Sequence, residues 1–343
     1  MIILYYGEFF MKYYVLAELR EDHENLMNSN TVYNDYVSRK SMNDLVVACC
    51  QNGYCCKFLG GTNELKNFIN ISKNIEDCIF INYNYGTPAR FKRGQSPIFL
   101  ESINAKYSGS DPLTSLIVND KAFSKKIIKE KINVPKSLLL FSEKDVNTVT
   151  LDVLNYPVIV KPNSEGSSLG IDEDSYCNSE ILAKDKALDL LKIFSPILIE
   201  EYIPGFEVTV WLIGNKDNYK LIQPLVISVD DKFYFQNKIF TANDKANHTR
   251  KYSLPDAIFP NYIIEKIITS SKTVFEELGM RDYGRIDFRI YDNTIYFIEA
   301  NALPIFSQTS EIGEIVKLCG ISYNELCNKM IESITERLMS KTD

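Results

Sequence analysis

The sequence predicts a mixed α/β protein built in three parts, and three observations lead there. In the first third, short apolar strand-like runs alternate with amphipathic helical stretches, the pattern of an open sheet with crossover helices. Two further strands, 156–161 and 196–202, enclose a polar Gly/Ser loop and a helix at 179–194. A strand-rich final third ends in a hairpin with one apolar and one charged face. A length of 343 residues suits two to three domains at about 150 residues each. Apolar residues make up 45% and charged residues 24%, which excludes disorder, collagen, coiled coil and a small disulfide scaffold. Lys and Arg number 38 against 45 Asp and Glu, a net charge of −7 without a basic block, so nucleic acid is not an expected partner. No apolar run nears the roughly 18 residues of a bilayer span, so no membrane partner is expected either.

Residues 1–10 read as an extension ahead of a first strand at 12–19. The apolar stretch 2–6 has no basic flank before it and no small-residue cleavage site after it, and Met11 is an alternative start. A helix at about 38–51 stops at Asn52-Gly53, followed by a strand at 54–59, a helix at 63–70 and an apolar strand at 78–82. A helix at 97–103 and a short strand at 105–107 lead to Asp111-Pro112, which opens another helix, and the Lys/Ile-rich stretch 119–131 ends before Pro135. After the strand at 196–202, strands at 208–213, 220–229 and 232–235 precede a long polar loop, 238–253, that holds His248 as a solvated residue. A helix at 261–278 ended by Gly279, the hairpin and a terminal helix complete the chain. The expected domains are 1–115, 116–210 and 211–343. His23 and Trp211 are assigned to structure. The eight cysteines lack framework spacing. CCQNGYCC at 49–56 could offer zinc four thiolates, but a helix end, a turn and a strand start account for it, and reduced thiols in a cytoplasmic protein are expected.

The most informative stretch is GRIDFRIYDNTIYFIEAN at 284–301. A hairpin centred on Asn293 puts Asp287 opposite Glu299 and Arg285 opposite Asn301, all on one face. The other face then carries Ile286, Phe288, Ile290, Tyr296, Ile298 and Ala300. Oxygens so placed suit Mg²⁺ bound together with nucleotide phosphates. The alternative is a solvated charge cluster, weakened because facing carboxylates repel unless a cation sits between them. The second signal is KPNSEGSSLG at 161–170. Its small residues let backbone N–H groups approach phosphates and Lys161 adds a charge, although it lacks a GK[ST] end and a plain turn also explains it. The third is ILIEEYIPGFE at 197–207, which could offer acceptors to an adenine and a ribose or simply be a charged strand end.

Taken together, YPVIVKPNSEGSSLGI, ILIEEYIPGFEVTVWLIG and RIDFRIYDNTIYFIEANALP closely resemble the D-alanine–D-alanine ligases of the ATP-grasp superfamily, over about residues 80–330. The resemblance implies an ATP-grasp fold behind an N-terminal open α/β (pre-ATP-grasp) domain. It implies that Lys121 and Lys161 hold ATP phosphates, with Glu165, Gly166, Ser167 and Ser168 as the loop closing over them. Glu200 and the backbone near Ile203 would meet adenine, and Glu207 the ribose. Asp287, Glu299 and Asn301 would bind two Mg²⁺ (Mn²⁺ as substitute), Glu299 bridging them. Arg285 would stabilise the transferred phosphoryl, with Ser167 and the mobile-loop Lys238 completing the catalytic set. The implied reaction is ADP-forming carboxylate–amine ligation through an acyl-phosphate, on small-molecule carboxylate and amine substrates. A homodimer is a family expectation only.

The departures from the family pattern lie in the substrate half. The N-terminal motif that orients the first D-alanine is not recognisable in LAELREDHE, and the family's acidic Gly-rich stretch survives only as Tyr85-Gly86 and Arg93-Gly94-Gln95. Ile239 replaces a loop tyrosine, Pro304-Ile305-Phe306 replaces a Pro-Gly-Met turn, and Ser310-Glu311 stands where a serine–leucine pair holds the acceptor's carboxylate. An inward Glu311 would repel that carboxylate by roughly 4 kcal/mol at about 4 Å and an effective dielectric near 20. The expected activity is therefore an ATP-dependent amide ligase of specialised metabolism whose acceptor is cationic or neutral where D-alanine is anionic. A true cell-wall D-alanine–D-alanine ligase and a non-catalytic nucleotide-binding protein are the rivals.

Overall fold

The computed structural model describes residues 11–26, 33, 36–72, 74–237 and 250–340. Three sheets succeed one another along the chain. The first is parallel, in the order β2-β1-β3-β4, from β1 (Lys12–Leu16), β2 (Cys55–Gly60), β3 (Cys78–Asn82) and β4 (Lys106–Tyr107). Parallel strands require crossovers, and the helices Arg39–Gln51 and Thr62–Ile71 supply two of them. Helix Arg39–Gln51 is capped by Ser38, whose side chain accepts from Ser41 N, and it buries Met42, Leu45, Ala48 and Cys49 at helical spacing.

The helix expected at 97–103 spans Lys92–Ser102 and carries Pro97 inside it. Proline pattern alone suggests a start there. Tertiary packing adds the turn before it: Gly94 lies so close to Leu116 that a Cβ would come within 2.9 Å of its Cγ. The 119–131 stretch is likewise redrawn. Asp111 caps the helix Pro112–Asn119, and Asp120 breaks the chain and caps the next, Lys121–Ile128, by accepting from Phe123 N.

The second sheet runs β5-β8-β6-β7, from β5 (Ser137–Leu140), β6 (Val158–Pro162), β7 (Tyr176–Cys177) and β8 (Ile197–Glu201). Strand β5 and the helix Glu143–Thr148 have no counterpart in the sequence-based reading. The helix Glu180–Leu191 covers this sheet through Ala183, Ala187 and Leu190.

The third sheet is antiparallel and carries the site. Its order is β12-β10-β9-β13-β14, from β9 (Gly205–Asn215), β10 (Asn218–Val229), β12 (Arg250–Ser253), β13 (Tyr283–Tyr291) and β14 (Thr294–Asn301), with the short β11 (Tyr234–Phe235) paired to β9. The polar loop expected at 238–253 thus ends in a strand, because Arg250–Ser253 pairs with β10. Lys238, Ile239 and His248 lie outside the described residues.

The decisive hairpin is built differently from the expectation and reaches the same pairs. Its turn is two residues, Asp292 (φ 48°) and Asn293 (φ 58°), the left-handed pair of a type I′ turn. Tyr291 then faces Thr294, and Phe288 faces Phe297. A bulge between Asp287 and Phe288 in the register takes up one extra residue on β14, so Asp287 faces Glu299 and Arg285 faces Asn301 as expected. The bulge corrects the apolar face. Ile295 and Phe297 enter the core with Ile286, Phe288 and Ile290, whereas Tyr296 and Ile298 turn to the charged side. Helix Asn261–Glu277 covers the apolar face with Ile263, Ile267, Val274 and Phe275.

Two helices, not one, end the described chain: Glu311–Cys319 and Tyr323–Met339, separated by Gly320 at φ +68°. Their apolar faces pack back on the first sheet, where Ile312, Ile315, Leu326, Met330 and Ile334 share one core with Tyr13, Val15, Met42 and Leu45, and with Trp211 and Tyr283 of the third sheet. All eight cysteines are free; Cys49, Cys56, Cys78, Cys177 and Cys327 are buried, while Cys50 and Cys55 are exposed. A hydrogen bond with Cys49 and burial push the Cys56 thiol up, and burial takes Cys177 to about 11. Among the described residues no helix is long and apolar enough to cross a membrane.

The bulge makes a stability prediction. Phe297→Ala removes a fully buried ring and should cost about 3–5 kcal/mol in denaturant unfolding, whereas Ile298→Ala should cost about 1 kcal/mol or less. Equal losses at the two positions would place Ile298 in the core and exclude the bulge.

Candidate active site

The second and third sheets face each other across a cleft with two cavities. The smaller, about 130 Å³, lies between β6 and β8 on one side and β9, β13 and β14 on the other. Ile159, Ile171, Tyr202, Ile203, Phe288 and Ile298 give it apolar walls, and Lys161, Ser168, Glu200, Glu207, Asp287 and Glu299 line its polar parts. The larger, about 240 Å³, opens toward the first sheet and is lined by Lys121, Glu165, Gly166, Ser167, Arg285, Glu299, Asn301, Ser310 and Glu311, among others. Every described residue singled out from the sequence therefore lines one cavity or the other. Glu299 lines both.

Alternation along the strands assembles the charged face. Arg285, Asp287 and Arg289 project from β13 beside Thr209 and Glu207 of β9, with which Asp287 and Arg289 pair. Thr209 donates to Asp287 Oδ1 at 2.6 Å, and Arg285 holds both Asp287 oxygens at 3.2 and 2.9 Å. Arg289 pairs with Glu207 at 3.0 Å. Burial raises the Asp287 carboxyl and the facing Glu299 adds to this, against Arg285. Burial also opposes ionisation of Glu299, but Lys121, Lys161 and Arg285 outweigh it and hold that carboxyl low. The facing carboxyls are thus unequal, Asp287 pushed above and Glu299 held below the ordinary value.

Glu200 is 2% exposed and accepts from two lysines. Lys125 reaches Glu200 Oε2 at 2.6 Å and Lys161 contacts Oε1. Burial lowers Lys125 to about 8, with Glu200 opposing and Lys161 reinforcing the shift. Burial works against Glu200 as well, yet the two lysines keep its carboxyl low. Both directions follow from one arrangement: two cations share one carboxylate, so the carboxylate stays ionised and a lysine is the easier group to neutralise. Lys125 was missed in the sequence, although it follows Lys121 at i+4, one helical turn along the same face.

The loop between β6 and β7 separates the cavities. Ser167 and Ser168 adopt φ of +52° and +57°, and Gly170, at φ +77°, packs so that a Cβ would lie 2.8 Å from Pro162 Cγ. Lys121 donates to the Glu165 carbonyl at 2.6 Å and approaches Glu299 at 3.4 Å. Asn301 accepts from Leu303 N through Oδ1 at 3.0 Å. The Ser310 hydroxyl caps the helix Glu311–Cys319 and donates to the carbonyls of Ile305 and Ser307, both at 2.8 Å. Glu311 turns inward, 9% exposed, with Tyr252 Oη at 3.2 Å, Arg285 at 3.4 Å and Arg250 at 3.5 Å from Oε1.

Asp287, Glu299 and Asn301 supply two carboxylates and one amide oxygen. Among the described residues no three His, Cys, Asp or Glu side chains cluster tightly enough to hold a metal unaided. The donor set fits a hard cation that takes its remaining oxygens from phosphate and water, the habit of Mg²⁺.

The family model described as "D-ala D-ala ligase C-terminus" matches residues 132–332, more than half of the chain. The chain belongs to the D-alanine–D-alanine ligase family. It is 31% identical to D-alanine–D-alanine ligase A of Bacillus cereus over 274 residues, covering 79% of this chain and 84% of that one. Thermotoga maritima D-alanine–D-alanine ligase is 26% identical over 277 residues, 80% and 83% of the two chains. Among solved structures, Bacillus anthracis D-alanine–D-alanine ligase complexed with ATP superposes with a TM-score of 0.71 at 23% identity, covering 95% of this chain and 98% of that one. VanG D-Ala:D-Ser ligase from Enterococcus faecalis gives 0.65 at 18% identity, over 94% and 99%. The fold is ATP-grasp and the chain is an ADP-forming carboxylate–amine ligase.

The shared carboxylate of this ligase predicts an asymmetry. Glu200→Gln leaves two buried lysines unpaired and should destabilise by about 3–5 kcal/mol in urea unfolding. Lys125→Met leaves Glu200 paired with Lys161 and should cost roughly half as much or less. Equal losses would show that the two lysines do not share the carboxylate's charge.

Proposed function

We propose that this ligase joins two molecules of D-alanine. Three things support the reading: the curated relatives near 30% identity carry that name, the described residues expected to face phosphate all line the cleft, and the charge objection to D-alanine as acceptor loses its premise. That objection rests on a lone charge at Glu311. The carboxylate is instead flanked by the guanidinium groups of Arg250 and Arg285, the latter shared with Asp287, so an incoming acceptor carboxylate does not meet a lone anion. This neutralisation is the observation that turns the reading from a cationic or neutral acceptor to D-alanine.

In the first step a carboxylate oxygen of one D-alanine attacks the γ-phosphorus of ATP. The bond to ADP breaks and an acyl-phosphate forms. The amine of the second D-alanine then attacks the acyl carbon. A C–N bond forms, the C–O bond to phosphate breaks, and the amine loses a proton. The smaller cavity suits the adenine, with Ile203 and its apolar neighbours against the ring, Glu200 beneath it and Glu207 toward the ribose. Lys121, Lys161 and the loop 165–168 hold phosphates, and Arg285 neutralises charge on the transferred group. Asp287, Glu299 and Asn301 would hold two Mg²⁺, which when bound offset the charge of the β- and γ-phosphates. Ser310, spent as a helix cap, orders the backbone N–H groups at the acceptor end rather than offering its own hydroxyl.

ADP release screened over D- and L-amino acids, singly and in pairs, tests the assignment. D-alanine should serve as both donor and acceptor, and a panel in which another acceptor outperforms it would overturn the proposal. Glu299→Gln should keep the fold and lower turnover by roughly 10²–10³-fold at saturating Mg²⁺. Wild-type turnover by that variant at low Mg²⁺ would remove Glu299 from the cation site. Glu311→Gln preserves shape and removes charge, so D-alanine should remain the preferred acceptor with an altered KM; a switch of acceptor would make Glu311 the selectivity residue.

A further inference from the structure

Lys92 has no place in the reaction derived above, yet it is among the most buried charges of the protein at 5% exposure. It is the first residue of the helix Lys92–Ser102, on the first-sheet side of the cleft, and lines neither of the two cavities. Its Nζ lies 2.5 Å from Glu165 Oε2, in the loop that separates those cavities. That loop cannot hold itself. Within it Leu169 N bonds to Gly166 O and Ile171 N to Ser168 O, while two serines sit in the left-handed region, where each costs of the order of a hydrogen bond.

Asn163 ties the start of the loop to Pro196, Lys121 and Ala122, and beyond it Glu165 carries two contacts with other elements: Lys121 on its carbonyl at 2.6 Å and Lys92 on its carboxylate. The two contacts differ in their availability. Lys121 lines the larger cavity and also faces Glu299, so phosphate and cation compete for it. Lys92 lies outside both cavities, and nothing bound in them draws on it. We infer that Lys92 is a positioning residue: its ion pair with Glu165 anchors the phosphate loop to the first sheet and holds Gly166, Ser167 and Ser168 over the nucleotide. The pair spans 73 positions of sequence and joins the helix Lys92–Ser102 to the loop between β6 and β7. Replacing Lys92 frees the Glu165 carboxylate to move into water, and the loop moves with it.

The inference rests on the reading of 165–168 as a phosphate loop, so its test has one arm that needs no nucleotide. Limited proteolysis of the nucleotide-free protein should cut within 163–170 at least about tenfold faster in Lys92→Met than in wild type. MgATP binding measured by calorimetry should weaken by a similar factor, with the thermal unfolding midpoint confirming a folded variant. The swap Lys92→Glu/Glu165→Lys should regain most of the loss seen in Lys92→Glu alone, which a purely structural role for either charge would not produce. Lys92→Met with wild-type cleavage, or a swap no better than the single reversal, overturns the inference. If Lys92→Met does not fold, the comparison of swap with single reversal decides it. Faster cleavage with unchanged MgATP affinity would keep the anchor and overturn the phosphate-loop reading instead.

Discussion

The site depends on one register. Asp287 and Glu299 face each other because a type I′ turn at Asp292-Asn293 starts the hairpin one step away from that pairing and a bulge on β14 restores it. A strand's side chains alternate with period two, so a shift of one residue would send Glu299 to the core and Ile298 to its place. The apolar face pins the arrangement. Phe288 and Phe297 pack edge to face, ring centroids 6.4 Å apart, beneath the helix Asn261–Glu277. Everything polar above them inherits its position from that packing.

Charge then organises the cleft outward from the hairpin. Glu299 is held ionised by lysines from two other elements, Lys121 on a helix and Lys161 on β6, so the third sheet is bound electrostatically to the second. Glu200 on β8 repeats the device with Lys125 and Lys161. Buried ion pairs of this kind add little net stability because desolvation offsets attraction, but they are costly to break singly. In the cleft they keep Lys121, Lys125 and Lys161 ordered and desolvated, so that an entering anion would replace carboxylate contacts with its own and need less reorganisation.

Much of this was legible from residue order. The facing pairs, the Gly/Ser loop and the strand that carries Glu200 are local patterns, and the resemblance they carry is the family that the comparisons establish. The charge on Glu311 was legible too, but its meaning was not. Arg250 and Tyr252 sit on a strand that polar composition disguised as loop, and only pairing with β10 brings them to the helix Glu311–Cys319. Lys92 gave no signal at all, since nothing in its neighbours points to a partner 73 positions away.

By itself, then, the amino-acid sequence determined what repeats at short range: strand alternation, the helix opening at Asp111-Pro112, and the spacing of Asp287, Glu299 and Asn301. Tertiary structure decided which charges meet. The bulge that moved Tyr296 and Ile298, the turn added before Pro97, and the neutralisation of Glu311 all come from packing between elements far apart in the chain. The physical reason is range. Backbone periodicity acts over a few residues, whereas a buried charge is valued by every partner that folding brings within a few ångströms, and those partners have no fixed place in sequence.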